Sequence, residues 1–183
     1  MSRIGLMPIP VPAGVQVQID GHTVTVKGRQ GEVKRTFVPS LTIVQKDGKL
    51  VVGRKSDEPR EKSLHGLTRS LLANMVEGAA NGYKINLDLI GTGYRVEQKG
   101  KGVQMQVGFS HPVLLEPLGS NTLKAESQIR LVVSGPDKES VGEQAASIRK
   151  IKPPNVYTGK GIKYDTEVIR RKAGKTGPGA TAA

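Results

Sequence analysis

The sequence predicts an α+β fold of two similar small domains, each an antiparallel sheet covered by one main helix, with a flexible basic C-terminal tail. Three observations lead to this fold class. Apolar and polar residues alternate over short stretches in both halves of the 183-residue chain, a helical apolar period follows the strands in each half, and the last eleven residues lack any apolar period. The predicted domains are residues 1–82 and 83–172, and residues 173–183 form the tail.

The first half begins with a predicted hairpin. The stretches "VQVQI" and "HTVTVK" alternate on either side of Asp20 and Gly21, a common pair in two-residue turns. The stretches "EVKRTF", "LTIV" and "KLVV" extend this hairpin into an antiparallel meander. From Pro59 to Gly82 the apolar residues recur every three or four positions, which predicts an amphipathic helix.

The second half repeats the same order of elements. Strands are predicted at "YKINLDLI", "GYRVEQ", "VQMQVGF", "HPVLLE" and "IRLVV", and a second helix is predicted from about Pro136 to Lys150. This repetition indicates that one architecture is duplicated within the chain.

Composition argues against catalysis and against a metal site. The chain has no Cys, which excludes disulfides, thiolate catalysis and sulfur-ligated zinc, and its three histidines fall in different predicted elements. A Gly-Lys-Thr run at Gly174 lacks the first glycine of a phosphate-binding loop, because Ile169 stands at that position. We therefore predict that the protein is not an enzyme, with no catalytic, cofactor-binding or metal-binding residues and no small-molecule substrate.

The first fifteen residues contain three prolines and no unbroken apolar run. This pattern fits neither a secretory signal nor a membrane span, so we expect a cytoplasmic protein without a membrane partner.

Positive charge is concentrated near the end of the chain. The net charge is +12, and residues 149–183 carry nine basic and two acidic side chains. The charge balance is +5 in residues 1–82, zero in residues 83–148 and +7 in the remainder. Such an asymmetry indicates a polyanionic partner for the C-terminal part.

The basic stretch has the composition of a nucleic-acid-binding loop. Pro153 and Pro154 stiffen the backbone, whereas Gly159 and Gly161 allow it to approach a phosphate closely. RNA is favoured over DNA because neither predicted helix is basic along its length, as a recognition helix would be. The predicted RNA-binding residues are Lys152, Tyr157, Lys160, Lys163, Tyr164, Arg170, Arg171, Lys172 and Lys175. A second set, supported only by charge or by position in a turn, is Arg69, Arg95, Ser110 and His111. The alternative for any such charge run is an ordinary solvated face.

The stretch "PPNVYTGKGIKY" closely resembles the signature of bacterial large-ribosomal-subunit protein six. The signature falls on Pro154, Tyr157, Gly159, Lys160, Gly161 and Ile162, and Thr158 stands where the signature usually has Lys. The resemblance continues through "HGLTRSLLANMVEG" and "SGPDKESVGEQAASIRK", and it covers nearly the whole chain up to Lys175.

This resemblance implies a non-catalytic constituent of the large ribosomal subunit. It implies binding to large-subunit ribosomal RNA near the translation-factor-binding region and the stalk base, with other large-subunit proteins as neighbours. A free-standing RNA-binding or ribosome-assembly factor is the alternative.

Overall fold

The computed structural model describes residues 4–46 and 48–175. The first half contains β1 (Ile9–Pro10), β2 (Gln16–Asp20), β3 (Thr23–Gly28), β4 (Gly31–Thr36), β5 (Leu41–Lys46), β6 (Lys49–Arg54) and α1 (Pro59–Asn81). The second half contains β7 (Tyr83–Ile90), β8 (Arg95–Lys99), β9 (Gly102–Gln106), β10 (Val113–Leu115), β11 (Thr122–Ser127), β12 (Arg130–Gly135), α2 (Lys138–Ile151) and β13 (Gly161–Tyr164). The predicted α+β class and the repeated order of strands followed by a helix are confirmed.

The chain forms two compact units. Among the described residues, the first consists of those up to Tyr83 together with Gly135–Val141, and the second consists of Lys84–Ser134 and those from Gly142 onward. The start of α2 therefore groups with the first unit. The domain boundaries predicted from the sequence, 1–82 and 83–172, stay a prediction.

In the first unit, α1 packs on strands drawn from two three-stranded sheets. The strand orders are β1-β6-β5 and β2-β3-β4, and α1 contacts β3 and β6. Val24, Leu50 and Leu72 lie in the shared core and are fully buried. Burial of the apolar stripe of α1 against both sheets stabilises elements that would be marginal alone.

One histidine of α1 is part of this core. His65 is buried, its Nδ1 lies 3.0 Å from Nη1 of Arg54, and its Nε2 lies 2.9 Å from the carbonyl oxygen of Val52. Because a guanidinium only donates, Nδ1 accepts from Arg54 and the ring proton sits on Nε2, which donates to Val52. His65 thus has a structural role, as an isolated histidine usually does.

The first hairpin turns one residue later than predicted. Asp20 pairs with Thr23, so the two turn residues are Gly21 and His22 rather than Asp20 and Gly21. The observed register sets Ile19 opposite Val24, whereas the predicted turn would have set Ile19 opposite His22. The observed pair joins half-buried Ile19 to fully buried Val24, whereas His22 lies exposed in the turn.

The second unit also has two sheets. Their strand orders are β10-β9-β8 and β11-β12-β7-β13. In α2, Gln144 is buried, and its Oε1 accepts hydrogen bonds from the Leu118 amide at 3.2 Å and the Asn121 side chain at 2.9 Å. Each half therefore contains two antiparallel sheets instead of the single sheet predicted. The hydrogen bonds of Gln144 attach the loop before β11 to α2.

Strand β13 lies inside the stretch that the sequence analysis treated as a loop. It pairs antiparallel with β7, and Ile162, fully buried, lies opposite Leu89. Among its four residues only Ile162 has an aliphatic side chain, so periodicity could not reveal it.

The predicted tail lies mostly outside the described residues. Residues 173–175 are exposed and have no regular secondary structure, and the remainder of the tail, 176–183, is not described. Its flexibility stays a prediction.

Candidate nucleic-acid interface

The centre of the site is a closed loop, residues 155–160, which we call the basic loop. The Asn155 amide donates to the Lys160 carbonyl at 2.9 Å, and the Gly159 amide donates to the Asn155 carbonyl at 2.7 Å. The side-chain Oδ1 of Asn155 accepts from the amides of Tyr157 and Thr158 at 2.8 and 3.2 Å. This local network is an Asx-type turn, and it holds the exposed side chains of Tyr157 and Lys160 on a defined backbone.

Two glycines permit this shape. Gly159 has φ +74° and Gly161 has φ +147°, conformations that other residues rarely adopt. At position 161 a β-carbon would lie 2.6 Å from Cα of Pro154 and 2.7 Å from the carbonyl oxygen of Pro153. The glycine therefore lets β13 pass directly against the two prolines that follow α2.

The C-terminal segment, residues 170–175, returns to the basic loop. The Lys172 amide donates to the Val156 carbonyl at 2.9 Å, and a β-carbon at Gly159 would lie 2.8 Å from Nη2 of Arg171. The fold thus brings Arg171 and Lys172 against the basic loop that carries Lys160, although eleven or more positions separate them from that lysine in the chain. Their side chains are exposed, as are those of Arg170 and Lys175.

Lys163 and Tyr164 are placed differently from the other predicted residues. Both belong to β13 and are half-buried. The Lys163 ammonium donates to the Glu167 carbonyl at 3.3 Å, and the Arg149 guanidinium lies 5.7 Å from the centre of the Tyr164 ring. Both side chains therefore make supporting contacts within the second unit.

Glu167 is the centre of that support. Its carboxylate accepts two hydrogen bonds from Arg149, one of them at 2.8 Å, and another from the Tyr164 amide at 3.3 Å. The hydrogen bonds from Arg149 hold the pKa of Glu167 below its ordinary value, and the pKa of Arg149 is correspondingly raised. The carboxylate is therefore charged and paired at neutral pH.

The acidic side chains next to the site are neutralised. Asp165 pairs with Arg130 at 3.4 Å, and Glu167 pairs with Arg149. Within the described residues, no ion pair engages the predicted cations Lys152, Lys160, Lys163, Arg170, Arg171, Lys172 and Lys175. The exposed members of this set consequently keep their charge available for an external anion.

Lys152 lies beside residues of the second predicted set. Its ammonium is 4.9 Å from the centre of the Phe109 ring, and the Phe109 and His111 rings stack with centroids 6.0 Å apart. The structure thus brings Lys152 together with the turn that contains Ser110 and His111. Sequence reasoning missed Phe109, for which the only signal was an aromatic residue at the end of a predicted strand, next to Ser110 and His111.

The two predicted arginines outside this region make contacts within their own units. Arg69 donates to the Met7 carbonyl at 3.2 Å in the first unit. Arg95 donates to the Gln106 side chain at 2.9 Å and pairs with Glu97 at 3.5 Å in the second unit. Their part in RNA binding stays a prediction.

Two classes of site are not seen in the part of the chain that is described. Across residues 4–46 and 48–175, no three His, Asp or Glu side chains are grouped as a metal site would require. No described helix combines the length and apolar character needed to cross a bilayer.

Comparison with known proteins decides the family. The sequence model of the family described as Ribosomal protein L6 matches residues 11–82 and 90–165. The chain belongs to the ribosomal protein L6 family. This membership confirms the resemblance found in the sequence, and with it the prediction of a structural ribosomal protein rather than an enzyme.

Relatives of high identity extend over the whole chain. "Large ribosomal subunit protein uL6" of Carboxydothermus hydrogenoformans is 50% identical over 177 residues, which cover 97% of each chain. The protein of the same name from Geobacillus stearothermophilus is 51% identical over 97% of this chain and 99% of its own. That of Salinispora arenicola is 52% identical over the same shares.

The two family matches map onto the duplicated halves. The second match, residues 90–165, includes the basic loop and β13 but ends before Arg170. Support for the C-terminal segment as part of the site therefore comes from its contacts with the loop.

Proposed function

We propose that this protein is a constituent of the large ribosomal subunit that binds large-subunit ribosomal RNA through the basic loop and the C-terminal segment. The observation that carries the proposal is the convergence of Lys160, Arg171 and Lys172, all exposed, on one hydrogen-bonded loop. Cations held on a rigid backbone meet phosphates with little loss of conformational freedom.

The electrostatics of the site support an RNA partner. Nine basic side chains occur from residue 149 onward, and the two acidic ones are paired with arginines. The exposed Tyr157 adds a ring that can stack on an unpaired base or donate to a phosphate. This combination suits the irregular surface of a folded RNA.

The finer location rests on the family. Relatives are named as large-subunit proteins, and we extend that assignment to this chain. By the same resemblance we propose a position near the translation-factor-binding region and the stalk base, in contact with neighbouring ribosomal proteins, in the cytoplasm. The role is to hold RNA in place rather than to catalyse a reaction.

The salt dependence of RNA binding tests this proposal. We would compare the wild type with the triple variant Lys160→Ala, Arg171→Ala, Lys172→Ala on large-subunit ribosomal RNA and on an unrelated structured RNA. Each lost phosphate contact should reduce the slope of log K against log salt by about 0.7–0.9, so the triple variant should lose roughly 2–3.

A matched control removes the same charge elsewhere in the second unit. Lys99 and Lys101 lie at the turn between β8 and β9, and Lys124 lies on β11, at the edge of its sheet opposite β13. Their triple alanine variant should keep nearly the wild-type slope. Equal losses in both variants would mean that net charge alone drives binding, and the proposed site would be wrong. Failure of the wild type to co-sediment with large subunits at high salt would favour a free-standing factor.

A further inference from the structure

A second feature of the second unit is a pair of exposed aromatic side chains, Phe109 and His111. They lie in residues 107–112, which we call the aromatic turn. Phe109 is 43% exposed, and its ring is within 16° of parallel to that of His111. The other phenylalanine of the chain, Phe37, is buried at 8% exposure. Phe109 therefore does not serve as a core residue.

The backbone beneath the pair is well supported. Gly108 has φ +77°, and a β-carbon there would lie 3.3 Å from the Tyr94 ring. The Cγ end of the Tyr94 ring lies against Gly91, where a β-carbon would be 2.7 Å away. The tyrosine thus fills the space under the turn, so the exposed position of Phe109 is set by packing rather than by a loose loop.

A cation belongs to the same cluster. The Lys152 ammonium lies 4.9 Å from the Phe109 ring centre, while the Lys152 carbonyl accepts from the Ile162 amide at 2.8 Å. Lys152 therefore joins the aromatic turn to β13 and the start of the basic loop. In the chain, β13 directly follows the basic loop, so Lys152 contacts both the aromatic turn and the strand next to the proposed phosphate-binding site.

We propose that the aromatic turn is a stacking site for one unpaired RNA base, with Lys152 held for the phosphate of that nucleotide or of its neighbour. Exposed rings bind bases through their faces, and a nearby cation supplies charge for the backbone. Bases within a duplex cannot reach such a platform, so the site selects a loop, bulge or unpaired strand. This inference rests on the proposed function and adds the kind of nucleotide that is recognised.

Fluorescence gives a direct test because the chain contains no Trp. The Phe109→Trp variant carries a single indole, and large-subunit ribosomal RNA should quench its emission on binding. The control variant Leu114→Trp places an indole at a position that is 59% exposed on β10, two residues beyond the turn. Its emission should change little at the same RNA concentration.

Affinity measurements complete the test. Phe109→Leu keeps an apolar side chain but removes the ring, and it should weaken RNA binding by about 5- to 100-fold without changing the salt slope. Phe109→Tyr should restore binding, whereas Lys152→Ala should reduce the slope by about 0.7–0.9.

The outcomes separate this inference from the proposed function. Unquenched emission of the Phe109→Trp variant together with wild-type affinity of Phe109→Leu would overturn the stacking site, even if the basic-loop variant lost its slope. Phe109 would then be an ordinary exposed residue shielded by a lysine stem. Failure of the wild type to prefer large-subunit RNA would overturn both.

Discussion

Gly161→Ala should be the most damaging of the small substitutions around the site. Gly161 begins β13 with φ +147°, and its Cα faces the backbone of Pro153 and Pro154. A new methyl group would lie 2.6 Å from Cα of Pro154 and 2.7 Å from the Pro153 carbonyl oxygen. Because both obstacles are backbone atoms of a rigid pair of prolines, side-chain rotation cannot relieve the overlap.

The expected loss follows from two contributions. The unfavourable backbone conformation costs about 1–3 kcal/mol for a residue other than glycine. Overpacking adds about 1–3 kcal/mol. The free energy of unfolding of the second unit should therefore fall by about 2–6 kcal/mol, and the basic loop should shift away from β13.

Two other glycines of the second unit provide controls. Gly100 also has a positive φ, +61°, but no atom lies within 4 Å of its β-carbon position, so Gly100→Ala should cost only about 1 kcal/mol. Gly142 lies within α2 with equally open space, so Gly142→Ala should stabilise the unit by about 0.5–1 kcal/mol.

Urea unfolding followed by circular dichroism would measure all three variants, and RNA binding would be measured on the folded proteins. The predicted order of stability is Gly142→Ala, wild type, Gly100→Ala, Gly161→Ala. If Gly161→Ala were no less stable than Gly100→Ala, the close approach of β13 to the prolines would be refuted.

Three further predictions concern single contacts. The bond from Arg149 lowers the pKa of Glu167, so this pair stabilises the folded state above the ordinary value of 4.5 and is lost as pH falls through the lowered pKa. Glu167→Gln should therefore reduce the free energy of unfolding by about 1–2 kcal/mol at pH 7, and this free energy, measured by urea unfolding, should depend less on pH in the acid range. An unchanged dependence on acid pH would contradict this. In Gly5→Ala the new methyl group would overlap the His65 ring, so thermal unfolding should show a loss of about 1–3 kcal/mol in the first unit, and a wild-type melting curve would disprove the contact. Asn155→Ala removes the two hydrogen bonds that Asn155 Oδ1 accepts but removes no charge. RNA affinity should therefore fall while the salt slope of binding is retained. A reduced slope would argue against a role of Asn155 in holding the loop backbone.

The sequence predicted most of the fold because its signals are local. The helical period from Pro59 matches α1 (Pro59–Asn81), and the predicted second helix matches α2 (Lys138–Ile151) within two residues. Each strand or helix buries one face in the core of its own unit, so its apolar pattern can be recognised without knowing which element it packs against. The shift of the first turn by one residue shows the limit, since the register depends on which residues meet across the hairpin.

The candidate site was predictable in composition but not in arrangement. Charge counts identified the basic C-terminal stretch, yet they treated Lys160 and Lys163 as equivalent. The structure keeps Lys160 exposed and directs the Lys163 ammonium to the Glu167 carbonyl. That difference arises because β13 pairs with β7, about seventy residues earlier in the chain, and burial of Ile162 orients its neighbours.

By itself, the sequence determined the two helices and most of the strands, the duplicated α+β plan, the family and the location of the excess charge. Each of these depends on residue identity and short spacing. The tertiary structure alone decided that Arg171 lies against Gly159 and that Lys152 lies over Phe109. Those contacts join distant positions through backbone pairing and close packing, whose geometry no local pattern contains.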